Sequence, residues 1–318
     1  MTSNLTKKYV QDNMNKFQNN IVWSKMKIKY LLLALFTIII WGVSLPVTTI
    51  LLNNGFTANN ITFFRFFIAM IIMYLFLGEK RKQKVDRKDR FLFMILGLSG
   101  TTLFFYFENT ALKYTSVSNT ALITATIPLF TLVAAAIIFK KKILWQNFVG
   151  IPLGLVGTGL LFYKDIIGSS VHLKGDLFVF GSVFMWILYS FVYRKVSSKY
   201  KPVFIVYKTF VYGCFFTIPL LILEYRELLL INVNFRVVAA MFYLSILSSL
   251  IGYYFWILAI NNIGIKATAN LILLLPVVSV ITGVLFLSEQ LNTILIVAMI
   301  SIIVSSYLTS ISKKGSYF

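Results

Sequence analysis

The chain has 318 residues, of which 58% are hydrophobic and only 13% charged, with a mean hydropathy of +0.83. A soluble domain carries roughly 25% charged residues, so this chain cannot cover a water-facing surface, and a soluble fold is excluded. The net charge of +20 does not point to nucleic acid, because the basic residues are bunched between apolar runs and form no patch or groove.

Residues 1–29 are polar and rich in Asn and Lys, which predicts a cytoplasmic tail or a short surface helix. The apolar run that follows is about 22 residues long, beyond the roughly 7–15 of a signal-peptide core, and it lacks a small-residue cleavage site, so it should stay as a span. A helix needs about 20 apolar residues to cross the hydrocarbon. Runs of that length predict spans at 30–51, 61–77, 91–112, 116–139 and 146–163, then at 175–193, 203–223, 235–260, 266–287 and 291–311. These runs are too long and continuous for barrel strands, and lipid permits only helices or closed barrels. The predicted fold class is an all-α membrane protein with ten transmembrane helices.

In the first span Trp41, Ser44 and Thr48 share one helical face, which suits a cavity wall. Arg65 in the second span and Glu108 in the third each lie four residues from a span end, about 6 Å deep. There they can pair, or each can snorkel to the surface. Glu108 is the one carboxylate well inside a span, hence the acidic candidate for proton coupling. Tyr106 and Asn109 flank it as further wall candidates, and Thr120 and Thr124 join them from the fourth span. Pro128 falls inside that fourth span, where proline frees a carbonyl and can bend or hinge the helix. The run Gly150-Ile151-Pro152-Leu153-Gly154 with Gly157 and Gly159 has the spacing of close helix packing, within the chain or at a homodimer seam.

His172 falls in the polar linker 164–174. Beyond it Trp186, Tyr189 and Tyr193 repeat the spacing of Trp41, Ser44 and Thr48. Lys208 in the seventh span either snorkels or meets a substrate carboxylate. Cys214 lies in an apolar run and reads as a packed core residue. One cysteine and one histidine can make neither an intrachain disulfide nor a Cys/His zinc site. Tyr253, Tyr254 and Asn270 complete the candidate lining, and Pro276 is the second candidate hinge.

Alternate segments divide the basic residues unevenly. With the N-terminus inside, 23 Lys and Arg fall on the cytoplasmic side and 5 outside, with Arg65 and Lys208 inside spans. That asymmetry places both termini in the cytoplasm of a plasma membrane, bacterial in character.

The halves also match each other. At an offset of 148, Ala111 matches Ala259, Leu112 matches Ile260, Thr120 matches Thr268, Ala121 matches Ala269 and Pro128 matches Pro276. At 145 Trp41 matches Trp186, and at 143 Arg65 matches Lys208. Five spans per half force the second copy to enter from the opposite side, giving inverted repeats at 30–163 and 175–311 with a short tail at 312–318. Such repeats place a substrate site near the midplane, between the halves.

On these residues the sequence resembles the drug/metabolite transporter superfamily in its EamA-type, ten-span branch. The resemblance rests on Trp41-Gly42, Arg65-Phe66-Phe67, Ala111-Leu112-Lys113-Tyr114-Thr115-Ser116 leading to Pro128, Ala259-Ile260 leading to Pro276, and Leu287-Ser288-Glu289. It covers residues 30–311. The first copy has Lys141 where the second has Glu289, and the first span lacks the carboxylate of the related four-helix multidrug exporters. The resemblance implies a metabolite transporter, often an exporter, with amino acids the commonest substrates.

The expected function is secondary transport of a small metabolite, with broad efflux of drugs or toxic compounds as the alternative. The expected partners are a small-molecule substrate and the lipid bilayer, not nucleic acid, for a monomer or homodimer. No cofactor is expected, and no GxxxxGK[ST] loop for ATP is present. A membrane enzyme would need an acid–base pair, nucleophile or metal ligands at one depth, which this set of residues supplies poorly. A scaffold would need neither paired prolines nor repeated polar faces.

Overall fold

The computed structural model describes residues 2–78, 83–139, 145–168, 170–263, 268, 271 and 273–310. Among them every regular element is helical: α1 (Thr2–Asn53), α2 (Ala58–Leu77), α3 (Arg87–Ala111), α4 (Val117–Ile138), α5 (Trp145–Gly168), α6 (Ser170–Ser197), α7 (Pro202–Leu223), α8 (Phe235–Ile263), α9 (Leu275–Leu287) and α10 (Thr293–Ser310), with a single turn at Tyr225–Leu228. Seven of the described helices, α1–α4 and α6–α8, are long and apolar enough to cross a membrane, and Leu275–Leu287 and Thr293–Leu308 are shorter apolar helices. The molecule is a multi-pass membrane protein.

Helical backbone runs beyond the apolar stretches in two places. The backbone is helical from Thr2, so α1 extends through the stretch expected as a tail or separate surface helix. The linker 164–174 is also largely helical, since α5 runs to Gly168 and α6 starts at Ser170, which carries the exposed His172 into α6.

Helix starts follow local chemistry. Thr57, Ser116 and Asn234 each accept a hydrogen bond from the backbone N–H three residues on, satisfying donors that the first turn leaves unpaired. Pro202 opens α7, where its missing N–H costs nothing. The α1–α2 turn needs Gly55 at φ 90°, and a Cβ there would meet the Leu230 carbonyl oxygen at 2.8 Å.

Two interruptions shape the interior. Both α3 and α8 contain a π-helical segment, Leu98–Leu103 and Tyr243–Ile251. Helix α4 breaks at a turn over residues 125–126, and a turn over 273–274 precedes α9. Pro128 and Pro276 are therefore the second residues of the helical segments after these turns, not kinks within continuous helices. The Ser306 hydroxyl on α10 donates to the Ala125 carbonyl at 2.8 Å, satisfying an acceptor at the first turn.

Packing pairs helices distant in sequence. Helix α1 lies against α8 and α9, α6 against α3 and α4, α2 against α7 and α8, α3 also against α7, α4 against α9, and α5 against α10. Gly154 and Gly157 of α5 pass close to α10, where a Cβ would overlap Ser305 and Ile302 respectively, and the Ser305 hydroxyl donates to the Gly150 carbonyl at 2.6 Å. The glycine run thus serves packing within the chain. Cys214 is buried beside Phe210 and Val206, as its apolar run predicts.

Polar contacts tie the helix ends. Where α1 turns into α2, the Glu224 carboxylate at the end of α7 accepts from the Thr57 hydroxyl and from Asn59 Nδ2 at 2.8 Å. Nearby, Asn234 Nδ2 donates to Asn54 Oδ1 at 3.0 Å. At the opposite end of the bundle, where α6 turns into α7, Asp89 accepts from Lys199 Nζ at 3.0 Å and from the Tyr200 hydroxyl at 2.9 Å.

Candidate functional site

The buried charges lie where α2, α3 and α8 meet. Arg65 is 3% exposed. Its Nε donates to the Ser249 hydroxyl at 2.5 Å and its Nη2 to the Ser248 hydroxyl at 2.9 Å, both on the π segment of α8. Its guanidinium carbon stands 4.5 Å from the Phe105 ring centre and 5.2 Å from that of Phe66. Translocon scales put a central arginine at about 2.5–3.5 kcal/mol. Two hydroxyl acceptors and two aromatic faces, each worth about 0.5–2 kcal/mol, offset much of that.

Glu108 on α3 is 9% exposed. Of the two arrangements open to Arg65 and Glu108, the ion pair does not form: among the described residues the one salt bridge is Lys199–Asp89. Glu108 lies in the field of Arg65, yet its carboxylate accepts no hydrogen bond among the described residues. The guanidinium is drawn to α8 because Ser248 and Ser249 present their hydroxyls to it there.

An aromatic strip borders these charges. The Trp41 indole N–H donates to the Ser248 carbonyl at 3.0 Å, and its ring lies 5.6 Å from Tyr253 and 5.2 Å from Trp256. Tyr253 leads to Phe210 at 5.5 Å, Phe210 to Phe66 at 4.9 Å, and Phe66 to Phe105 at 4.9 Å. A second strip on α6 joins Trp186 to Phe104 and Tyr189, each at 5.2 Å, and Tyr189 to Tyr193 at 5.8 Å. Tyr189 packs so closely over Gly100, in the π segment of α3, that a Cβ there would overlap its ring.

Other sequence candidates lie apart from this cluster or are already occupied. Ser44 donates to the Trp41 carbonyl at 2.6 Å, Thr48 to the Ser44 carbonyl at 2.8 Å and Thr120 to the Ser116 carbonyl at 2.9 Å, so these hydroxyls satisfy their own helices. Asn109 Nδ2 donates to the Thr62 hydroxyl at 3.2 Å and fastens α3 to α2. Tyr106 rests against Phe107 and Phe178. Tyr254 is 47% exposed and turns away from the interior. The Lys208 ammonium lies 5.7 Å from the ring centres of Phe204 and Tyr207 on its own helix, making no contact with the Arg65 cluster. Asn270 lies outside the described residues. Thr124 keeps a buried hydroxyl with no partner among the described residues, beside the break in α4.

The sequence reading missed Ser248, Ser249 and Trp256. Two adjacent serines in the middle of an apolar span were the available signal for the first two.

A buried, hydrogen-bonded arginine, a glutamate with no hydrogen-bond donor among the described residues and aromatic strips on α1, α6 and α8 form a polar interior inside an apolar bundle. The EamA-like transporter family matches residues 28–163 and 173–311. The chain belongs to this family. An uncharacterized transporter of Archaeoglobus fulgidus is 29% identical over 284 residues, covering 88% of this chain and 96% of that one. A second relative, the uncharacterized transporter YyaM of Bacillus subtilis, is 29% identical over 231 residues, 71% of this chain and 76% of its own. A Salmonella typhimurium protein named a probable amino-acid metabolite efflux pump is 22% identical over 287 residues, 87% of this chain and 93% of its own. One crystal structure superposes with a TM-score of 0.59 at 18% identity, covering 88% of this chain and 96% of that one, and shares the fold. This EamA-like chain is thus a membrane transporter by family, which points away from an enzyme.

Proposed function

We propose that the chain is a secondary transporter that exports a small metabolite, an amino acid or a related compound, by alternating access between two inverted five-helix repeats, residues 30–163 and 175–311. The observation that carries this reading is the pairing of the helices. Replacing each helix by the one five places away turns α1 on α8 into α6 on α3, α1 on α9 into α6 on α4, and α2 on α8 into α7 on α3, while α2–α7, α4–α9 and α5–α10 map onto themselves.

Local features follow the same exchange. The π segments start at Leu98 and Tyr243, an offset of 145, and the turns at 125–126 and 273–274 differ by 148. The contact of Asp89 with Lys199 and that of Asn234 with Asn54 are related by 145, at opposite ends of the bundle. The family also matches once in each half. A repeat of this kind lets one packing open to one side and its partner arrangement open to the other. The distribution of Lys and Arg supports cytoplasmic termini in a plasma membrane, and the name of the Salmonella relative supports an amino-acid cargo and export. The aromatic strip Trp41–Tyr253–Trp256 favours broad efflux of apolar drugs as the second reading.

Flux of labelled amino acids and other metabolites in proteoliposomes, with and without a pH gradient, tests the proposal. Trp186→Ala and Tyr189→Ala are expected to lower flux severalfold while leaving the protein folded. Flux equal to empty liposomes for the whole panel would overturn transport, and unchanged flux in both variants would remove α6 from the substrate path.

A further inference from the structure

We propose that Arg65 and Glu108 are the two poles of a recognition site for the zwitterionic head of an α-amino acid. The guanidinium receives the substrate carboxylate and the Glu108 carboxylate receives the ammonium. The inference rests on the transport reading above and assigns its substrate chemistry.

The argument starts from the separation of the charges. Both are at least nine-tenths buried, at 3% and 9% exposure, yet they form no ion pair. An arginine has five N–H donors. The protein uses one on Nε and one on Nη2, and no acceptor among the described residues meets Nη1. Glu108 has no hydrogen-bond donor among the described residues. A buried charge left short of partners costs several kcal/mol, and both charges sit where α2 packs on α3.

The backbone explains why they stay apart. Phe105 lies one helical turn before Glu108 on α3, and its ring carries the Arg65 guanidinium at 4.5 Å. Ser248 and Ser249 then draw the guanidinium toward α8. A molecule holding a carboxylate and an ammonium on one carbon complements both poles at once, whereas a simple anion or cation complements only one. The rings of Phe105, Phe66, Phe210 and Tyr253 pack on one another beyond the charged pair and keep water from it.

The test is equilibrium binding to the purified full chain in detergent, using labelled L-leucine, L-phenylalanine and L-threonine as probes. Competitors are the unlabelled amino acid, its N-acetyl derivative and the corresponding decarboxylated amine. The amino acid should compete at least about tenfold better than either derivative, because a missing group leaves one buried pole unpaired. Glu108→Gln should shrink the preference over the N-acetyl derivative and keep that over the amine; Arg65→Gln should do the reverse. Glu108→Gln changes charge at nearly constant shape, so it decides the matter even if the arginine variant misfolds. Absence of saturable binding for all three probes, or unchanged preferences in Glu108→Gln, overturns the inference. Saturable zwitterion binding without flux in liposomes would instead overturn the transport reading, and flux of a cargo lacking one of the two charges would overturn the inference alone.

Discussion

The indole N–H of Trp41 on α1 donates to the backbone carbonyl of Ser248, 207 residues away, at 3.0 Å. The carbonyl lies in the π segment of α8, and the Ser248 hydroxyl on the same residue accepts from Arg65. One residue of α8 therefore joins α1 and α2. A Trp41→Phe chain keeps the ring packing against Tyr253 and Trp256 but loses the donor. It is expected to lose about 1–3 kcal/mol, the range for leaving a buried polar group unpaired, measured by reversible SDS titration. Unaltered stability would mean that another donor replaces the indole.

Glu289 ties α9 to the start of α4. Its carboxylate accepts from the backbone N–H groups of Val117 at 2.6 Å and Ser118 at 3.1 Å, and from the Ser118 hydroxyl. A negative charge at a helix N-terminus meets both unpaired N–H groups and the positive end of the helix dipole. Glu289→Gln turns one acceptor into a donor facing N–H groups, so a loss of about 1–3 kcal/mol is expected. Thermal unfolding of both proteins in one detergent checks it.

Gly213 on α7 touches α3 so closely that a Cβ would overlap the side chain of Thr101, while its carbonyl accepts from Thr102 at 3.0 Å. Gly213→Ala forces these helices apart, and overpacking of this kind costs about 1–3 kcal/mol. Partial recovery of stability in Gly213→Ala plus Thr101→Ala, which removes the hydroxyl oxygen nearest the added Cβ, would locate the strain there.

Lys199, in the α6–α7 turn, is held above the ordinary lysine range by its hydrogen bond and charge interaction with Asp89. A raised folded pKa means that the contact stabilises the fold below the ordinary lysine range and fades as pH rises through the folded value. The melting temperature of the wild-type chain should therefore fall at strongly alkaline pH more than that of Lys199→Gln. The half-exposed ammonium makes the difference small and reduces it further in high salt. Parallel pH curves for both proteins would show that the contact contributes nothing.

Much of the molecule could be read along the chain because lipid enforces it. Long apolar runs located the helices to within a few residues at most ends, since a backbone in hydrocarbon must bond to itself. Capping at Ser116 and Pro202 at the start of α7 were equally local. Cys214 fell in the core, as an uncharged small residue in an apolar run should.

The site was legible only in part. Ser44 and Trp41 share a face, yet the hydroxyl bonds its own helix and the indole bonds α8; periodicity ranks positions but does not assign donors. Tyr253 and Tyr254 are neighbours in sequence, and the π segment just before them adds residues to the turn and rotates the face that follows, so a regular 3.6-residue repeat cannot tell which faces the interior. Arg65 and Glu108 had matching depths, which suggested a pair. The direction of the guanidinium depended on two serines 183 and 184 residues away. The amino-acid order thus determined the number of apolar runs and their bias of basic charge, both properties of segments against lipid. Tertiary structure alone decided which buried charges meet, because that depends on the angle at which separate helices cross.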